Sequence, residues 1–222
     1  MQIEAHEIER YRKFREIGRE LNGVLLGYVG KMAFKKAAKE LGLLRDGAIV
    51  FENDSAVAVF QDYSIHTYRM GGRSLFDICL TRESHTLDPD MLVLLEMYRH
   101  SLFSVFKVKE TDKYYCCDML DVVSGKEYPM LDFGFAETAP PGSLLVTRLI
   151  PVPGSVFFMS SGAAIPAFNQ ATLTELKQII GKFIYFFLGG GLSPSQEASF
   201  CKQITRTLLR MGMLERVSYL DI

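Results

Sequence analysis

The sequence predicts an α+β fold, with a helical N-terminal half, a small antiparallel β-barrel-like middle and C-terminal helices. Apolar residues recur at three- and four-residue steps in the first half and again near the C-terminus, as they do in amphipathic helices. The middle of the chain changes instead to short alternating strands. Turn sequences separate these strands: Ser124-Gly125, Pro140-Pro141-Gly142 and Pro151-Val152-Pro153-Gly154. We therefore expect three regions packed into one globular unit: a helical region (1–102), a small barrel or twisted antiparallel sheet (103–167) and a C-terminal helical arm (168–222).

Five helices are predicted in the N-terminal region. Their approximate spans are 3–28, 31–41, 54–68, 73–82 and 89–102. Gly42 is well suited to end the second helix, because glycine readily adopts the left-handed conformation found just after a helix. Asp88-Pro89 supplies a cap followed by proline at the first helical position, so the fifth helix begins there.

Residues 48–68 allow two interpretations. In the first, Ile49-Val50-Phe51 and Val57-Ala58-Val59-Phe60 form a hairpin around the turn-prone Asn53-Asp54. In the second, Asn53 or Asp54 caps a helix that continues through Tyr68. We favour the helix, because the pattern continues past Gln61 without turn signals until Gly71-Gly72.

The β region and the arm follow from the same patterns. Five strands are predicted near 103–109, 114–120, 127–133, 144–150 and 155–160, a spacing that favours a small barrel. In the arm, a helix over about 172–188 is interrupted by Gly189-Gly190-Gly191. Ser193-Pro194-Ser195-Gln196 has the pattern of a capping box, so a last helix is expected from there to about Gly212.

Composition limits the classes of protein that fit. The 222 residues carry a formal net charge of −1 and are 48% hydrophobic, as in ordinary globular proteins. No signal peptide and no apolar run long enough for a membrane span are seen. The four cysteines contain no Cys-x-x-Cys pair and are expected to be free thiols. We therefore expect a cytoplasmic protein.

Part of the β region resembles a known group of proteins. The segments are Leu102–Val108, Asp118–Glu127 and Pro141–Ile150. They resemble a β segment of poorly characterised bacterial proteins, some of which carry a cysteine-rich SEC-C-type zinc motif. The resemblance implies a bacterial origin and a barrel-like middle. The cysteine cluster that such a motif needs is absent from this sequence, so the resemblance implies neither zinc nor an activity.

The densest polar constellation is Asp62, Tyr63, His66 and Arg69. On a helix, Asp62 and His66 are one turn apart, and a carboxylate beside an imidazole can orient a general base. The alternative is a surface ion pair or a histidine that serves packing alone. An enzyme with a site here is one hypothesis, and it requires a concave pocket at this face.

Two other surfaces are candidates for binding. Lys31, Lys35, Lys36 and Lys39 form a basic helix that, with Arg45 and an OB-like barrel face, could contact nucleic acid, although the near-neutral net charge argues against this. Phe186 and Phe187 belong to an apolar stretch, 183–188, which either completes the core or forms an interface, including that of a homodimer.

Recognised catalytic signatures are absent from the sequence. Ser160-Ser161-Gly162 is not a nucleophile elbow, no histidine follows His100, and the four histidines lack the spacing of metal ligands. Neither a cofactor nor a metal is expected. The leading hypothesis is a non-catalytic module that binds another protein or regulates it, ahead of the nucleic-acid and enzyme hypotheses.

Overall fold

The computed structural model describes residues 3–83, 85–112, 116–167, 170–188 and 191–216. Its α-helices are α1 (Ala5–Gly27), α2 (Lys31–Leu41), α3 (Asp54–Asp62), α4 (Leu75–Glu83), α5 (Pro89–Arg99), α6 (Phe133–Thr138), α7 (Gln170–Leu188) and α8 (Pro194–Arg210). Its strands are β1 (Leu44–Arg45), β2 (Ala48–Ile49), β3 (Leu102–Asp112), β4 (Cys116–Asp121), β5 (Glu127–Leu131), β6 (Leu144–Pro151) and β7 (Phe158–Pro166). The α+β class with a central barrel is confirmed.

Strands β3 to β7 close into a barrel with the order β3-β4-β5-β7-β6, and β6 pairs back with β3. Neighbouring strands are antiparallel except β5 and β7, which pair in parallel at Met130 and Phe158. Helix α6 joins the third strand of the barrel to the fourth. This arrangement is that of a five-stranded OB-type Greek-key barrel. Its interior is filled by apolar side chains: Phe106, Val108, Cys117, Met119, Met130, Leu145 and Leu149.

Helices cover two sides of the barrel. Helices α1, α4 and α5 share one apolar cluster with Leu131, Ile150 and Met159 of the barrel strands. Helices α7 and α8 share another with Val105, Val146 and Ile165. Because side chains alternate along a strand, the same strands fill the barrel interior and also contact these helices.

The ambiguous segment is helical from Asp54 to Thr67, and the interpretation of 49–51 and 57–60 as a hairpin is wrong. The Asn53 side chain caps α3 by accepting a hydrogen bond from the Ala56 N–H at 2.9 Å. Ile49 pairs instead with Leu44 in the small β1–β2 hairpin. That hairpin turns at Asp46-Gly47, both with positive φ, as a tight two-residue turn requires.

Beyond Asp62 the helix widens into one π-helical turn, Tyr63–Thr67, which the sequence analysis does not predict. The N–H of Tyr68 donates to the carbonyl of Tyr63, five residues earlier, at 2.8 Å. Single π turns inside helices frequently lie at functional sites.

Two predicted strand boundaries are wrong. The strand expected at 155–160 is β7 at Phe158–Pro166, because the chain first turns at Ser155, whose hydroxyl accepts from the Phe157 N–H at 3.0 Å. The strand expected at 127–133 ends at Leu131, because the Asp132 side chain caps α6 by accepting from the Phe135 N–H. Residues 114 and 115, the start of the strand expected at 114–120, lie outside the described residues, as do Gly189 and Gly190. In the described part of the chain, no helix combines the length and apolar character needed to cross a membrane.

Candidate functional site

A cavity of about 240 Å³ lies where α1, the end of α3 with its π turn, and β7 meet. Its apolar lining includes Phe14, Ile65, Ile150 and Met159. Its polar lining includes Arg15 and Arg19 of α1, Asp62, His66 and Ser161. The concave pocket that the enzyme hypothesis requires is therefore present beside Asp62 and His66.

Helix α1 and strand β7 are joined at the cavity by one hydrogen bond. The Arg15 guanidinium donates from Nη1 to the backbone carbonyl of Ser160 at 2.8 Å. Arg19 follows one turn later on α1 and is exposed. Both guanidinium groups therefore lie along one wall of the cavity.

Strand β7 is bulged where it lines the cavity. Thr147 pairs with Ala164 and Leu149 with Ser160, so three residues of β7 lie opposite the single Arg148 of β6. Gly162, at the centre of the bulge, has a φ of +84°, a conformation that favours glycine. Such bulges redirect side chains, and they are common beside functional sites.

Arg148 lies behind the cavity and is only 2% exposed. Its Nη2 donates to Thr67 Oγ1 at 3.0 Å and its Nη1 to Ser101 Oγ at 3.2 Å. Its charge is balanced by Asp62, with Nε 3.4 Å from Oδ1, and by the more distant Glu197. Burial opposes the charge of Arg148, but the surrounding negative groups outweigh burial, and the pKa of Arg148 is raised overall.

His66 is neutral at neutral pH. Burial lowers its pKa well below the usual value, and the positive charges of Arg148 and Arg69 lower it further. Its Nε2 lies 3.9 Å from Asp62 Oδ1, a separation that is too long for a hydrogen bond. The ring packs instead against Tyr98 and Phe76, with centroids 4.7 and 5.4 Å away.

Three side chains that line the cavity carry buried polar atoms without a hydrogen-bond partner among the described residues. They are Asp62 Oδ1, His66 Nδ1 and the Ser161 hydroxyl oxygen. The Arg148 Nε near Asp62 also lacks an aligned partner. These atoms have almost no accessible surface, so they lie within the wall of the cavity and do not themselves face its space.

The predicted constellation divides between two environments. Asp62 and His66 line the cavity, whereas the Tyr63 hydroxyl donates to Glu40 Oε2 at 2.5 Å and belongs to the cluster beneath α2. Burial and the Glu40 side chain raise the pKa of Tyr63. Arg69 donates to the backbone carbonyl of His66 at 2.9 Å and does not line the cavity.

The other candidate residues lie away from this cavity. Lys31, Lys36 and Lys39 are exposed on α2 and Lys35 is half-buried, while the apolar cluster beneath α2 contains no residue of the barrel strands. On α7, Phe186 is 44% exposed, whereas Phe187 packs against Phe200. Among the described residues, no group of three or more histidine, cysteine, aspartate or glutamate side chains could hold a metal ion.

Four further residues at or behind the cavity are not predicted from the sequence as site residues: Arg15, Arg19, Arg148 and Ser161. The two arginines of α1 are one turn apart, but this spacing is common on exposed helix faces and does not distinguish them. Arg148 carries a clearer signal, because it is a lone charge within the apolar run Leu144–Pro151. Ser161 becomes part of the site only through the bulge.

A second cavity, of about 510 Å³, lies between the β1–β2 hairpin, the start of α3 and the end of α8. It is larger, but its lining contains no residue of the predicted polar constellation, whereas Asp62 and His66 line the smaller cavity. We therefore assign the candidate site to the smaller cavity.

The fold and the site define a class: an OB-type barrel flanked by helices, with a small polar cavity at the junction of barrel and helices. The chain belongs to a family of unknown function, DUF7986, whose model matches residues 5–185. That match includes every residue that lines the smaller cavity. Neither a curated protein nor a solved structure matches the chain. The resemblance to SEC-C-bearing proteins stays a prediction.

Proposed function

We propose that this protein is a binding module for a small anionic metabolite, which it holds in the cavity between α1, the π turn and β7. The observation that carries the proposal is the pair of arginines, Arg15 and Arg19, that α1 contributes to the lining of this cavity. A guanidinium group carries several N–H donors and a permanent positive charge. A small anion in the cavity can accept hydrogen bonds from these groups.

The charges around the cavity favour an anion. Arg15 and Arg19 are the charged residues that α1 contributes to the lining, and neither forms an ion pair among the described residues. The charge of Asp62 is already balanced by Arg148. Guanidinium groups bind carboxylates and phosphates through paired hydrogen bonds. The uncompensated charge at the cavity is therefore positive.

The size of the cavity limits the ligand. Cavities that bind drug-sized molecules measure roughly 300–1,000 Å³, and this one is smaller, at about 240 Å³. A nucleotide or a large cofactor does not fit such a volume. A short carboxylate or a small phosphate compound does.

The proposal is tested by thermal shift and calorimetry with inorganic phosphate and a panel of short carboxylates, including 2-amino and 2-hydroxy acids. We expect at least one compound to stabilise the protein, by about 2.7 kcal/mol when its concentration is 100 times the Kd. Arg19→Ala should weaken that compound's binding about tenfold, or about 1.4 kcal/mol, because a charge-assisted hydrogen bond is lost.

Arg12→Ala is the matched control. Arg12 is exposed on the same helix but lies over Phe133, outside the cavity lining, so this variant should bind as the wild type does. The proposal is overturned if no compound stabilises the protein, or if Arg19→Ala and Arg12→Ala bind the ligand equally well.

A protein-binding role is the second candidate, and one observation favours it. Tyr185 and Phe186 lie next to each other near the end of α7 and are 81% and 44% exposed. Exposed neighbouring aromatic side chains are typical of protein interfaces. This role is compatible with ligand binding, since the aromatic pair lies outside the cavity lining.

The nucleic-acid hypothesis gains little support. In OB-type barrels, oligonucleotides bind the face formed by the second and third strands. Here those strands, β4 and β5, contain the accessible acidic residues Asp118 and Glu127 and no lysine or arginine. Acidic side chains repel phosphate groups, so this face is unsuited to nucleic acid.

A further inference from the structure

We infer that the ligand of the cavity is a short dicarboxylate, an anion with two separated carboxylate groups, and that Asn22 binds one of them. The first carboxylate pairs with Arg15, and the second lies between Arg19 and Asn22. This inference rests on the proposed function and adds the chemical class of the ligand and a third binding residue.

Hydrogen-bond donors follow α1 along the wall of the cavity. Arg15, Arg19 and Asn22 all line it. Their spacing in the chain places them on one face of the helix. Arg15 and Asn22 are nearly two turns apart, which is about 10 Å along the helix axis. A row of donors this long is more complementary to a ligand with acceptors at both ends than to a compact ion such as phosphate.

The charge of the cavity matches two carboxylates. Neither arginine of the lining forms an ion pair among the described residues. Two acidic residues of α1 close to them, Glu16 and Glu20, are exposed and lie outside the lining. The acidic residue that does line the cavity is Asp62, and its Oδ1 lies within the wall, 3.4 Å from Arg148 Nε. Two guanidinium charges therefore remain for the ligand, and a dianion balances both.

The amide of Asn22 is held in a defined orientation. The Tyr98 hydroxyl donates to Asn22 Oδ1 at 3.0 Å. Gly18 allows this contact, because a Cβ at that position would lie only 3.2 Å from the Tyr98 hydroxyl oxygen. With its oxygen occupied, the amide offers Nδ2, which carries two N–H donors. Nδ2 keeps accessible surface and donates to no described residue, so it is available to a ligand oxygen.

Arg15 is fixed at the other end of the row. Its Nη1 donates to the Ser160 carbonyl at 2.8 Å, and its Nη2 lies beside Gly162, where a Cβ would be 3.6 Å away. A guanidinium group has five N–H donors, so this single bond leaves others for a carboxylate. Because Arg15 and Asn22 are both oriented by the protein, a ligand that contacts both pays little to order them.

The test uses ligands that differ by one carboxylate. Calorimetry at constant ionic strength compares malonate, succinate and glutarate with the monocarboxylates of equal carbon number, namely propanoate, butanoate and pentanoate, and with inorganic phosphate. We expect at least one dicarboxylate to bind about 10- to 100-fold more tightly than its monocarboxylate partner, because the second carboxylate gains charge-assisted hydrogen bonds. The same dicarboxylate should also bind more tightly than phosphate.

A variant assigns this preference to Asn22. Asn22→Ala should reduce the preference for the dicarboxylate about tenfold, while the monocarboxylate should bind as it does to the wild type. Arg12→Ala is again the control and should keep the full preference. Because Asn22 also accepts from Tyr98, thermal melting checks that Asn22→Ala folds; if it does not, the ligand series on the wild type decides.

The possible failures are distinguishable. If each monocarboxylate binds as tightly as its dicarboxylate partner, or if phosphate binds most tightly, the dicarboxylate inference is overturned while the proposed anion site stands. The inference is also overturned, again without the anion site, if folded Asn22→Ala keeps the full preference. If no anion binds, or if Arg19→Ala does not weaken binding, both the inference and the proposed function are overturned.

Discussion

Arg148 shows how a single buried charge connects the candidate site to the rest of the fold. Its guanidinium contacts the π turn through Thr67, the end of α3 through Asp62 and α8 through Glu197. It also lies 5.4 Å from the centre of the Phe103 ring. An isolated buried charge is costly, but these partners compensate it. Because Asp62 lines the cavity, Arg148 positions a cavity-lining side chain without lining the cavity itself.

His66 should make stability depend on pH in a defined window. In the unfolded chain a histidine has a pKa of about 6.5, whereas burial first, then Arg148 and Arg69, lower the folded-state pKa. Above about pH 6.5 neither state is protonated, and this group does not affect stability. Below it the unfolded chain binds a proton that the folded protein does not. The free energy of unfolding therefore decreases as the pH is lowered below about 6.5, by at most about 1.4 kcal/mol per pH unit.

His66→Gln should remove this dependence. Denaturant unfolding between pH 7 and pH 5 measures it, and the variant should show a flatter profile than the wild type. His100→Gln is the control, because His100 is exposed beside Glu96 and its replacement should leave the slope in place. A wild-type slope in His66→Gln would contradict the assignment.

At the scale of elements, helix α7 has one buried side and one exposed side. Two of its phenylalanines, three residues apart, differ in how much of their side chain is exposed. Phe183 is 7% exposed and packs against Phe200, whereas Phe186 is 44% exposed. Phe183→Ala should therefore lower the free energy of unfolding by about 3–5 kcal/mol. Phe186→Ala should lower it by only about 1–2 kcal/mol, since 44% of the Phe186 side chain is already exposed to solvent.

A double variant on the exposed side of α7 tests the second candidate function. If the exposed aromatic pair forms the interface of a homodimer, the double variant Tyr185→Ala/Phe186→Ala should lower the molecular mass measured by light scattering to that of the monomer. Its melting temperature should stay close to that of the wild type. If the wild type is monomeric and no partner is captured through α7, this candidate is contradicted. A large loss of stability in Phe186→Ala would show instead that its ring is part of the core.

Elements are predicted from the sequence where local chemistry determines them. The Asn53 cap and the Asp88-Pro89 start are both present in the structure, because each depends on a few neighbouring residues. The π turn and the bulge at Gly162 are not predicted. Both depend on packing between distant segments, and neither produces a repeating pattern of apolar residues by which it could be recognised in a single sequence. These two irregular elements are the ones that form the candidate site.

At the scale of the whole molecule, the site exists only because distant segments meet. Arg15 and the Ser160 carbonyl are 145 positions apart, and Arg148 and Thr67 are 81 positions apart. Sequence analysis identifies Asp62 and His66 as a pair because they are one turn apart. It cannot bring them together with the arginines of α1 or with Ser161, because the barrel topology determines those contacts.

The barrel and its flanking helices should unfold as one unit. The outer surfaces of the barrel strands are buried against helices on two sides, through Ile150 and Met159 on one and Val105, Val146 and Ile165 on the other. Removing the helices would expose these side chains to water, at a free-energy cost of about 25 cal/mol for each Å² of apolar surface. The apolar interior of the barrel alone would then have to offset this cost. The intact chain should therefore show a single calorimetric transition, with coincident circular dichroism and fluorescence curves. A fragment of residues 101–167 should be unfolded or aggregated under the same conditions. Two separate transitions in the intact chain, or a fragment that melts cooperatively on its own, would show that the barrel is an independent domain and that the cavity lies between two domains free to move apart.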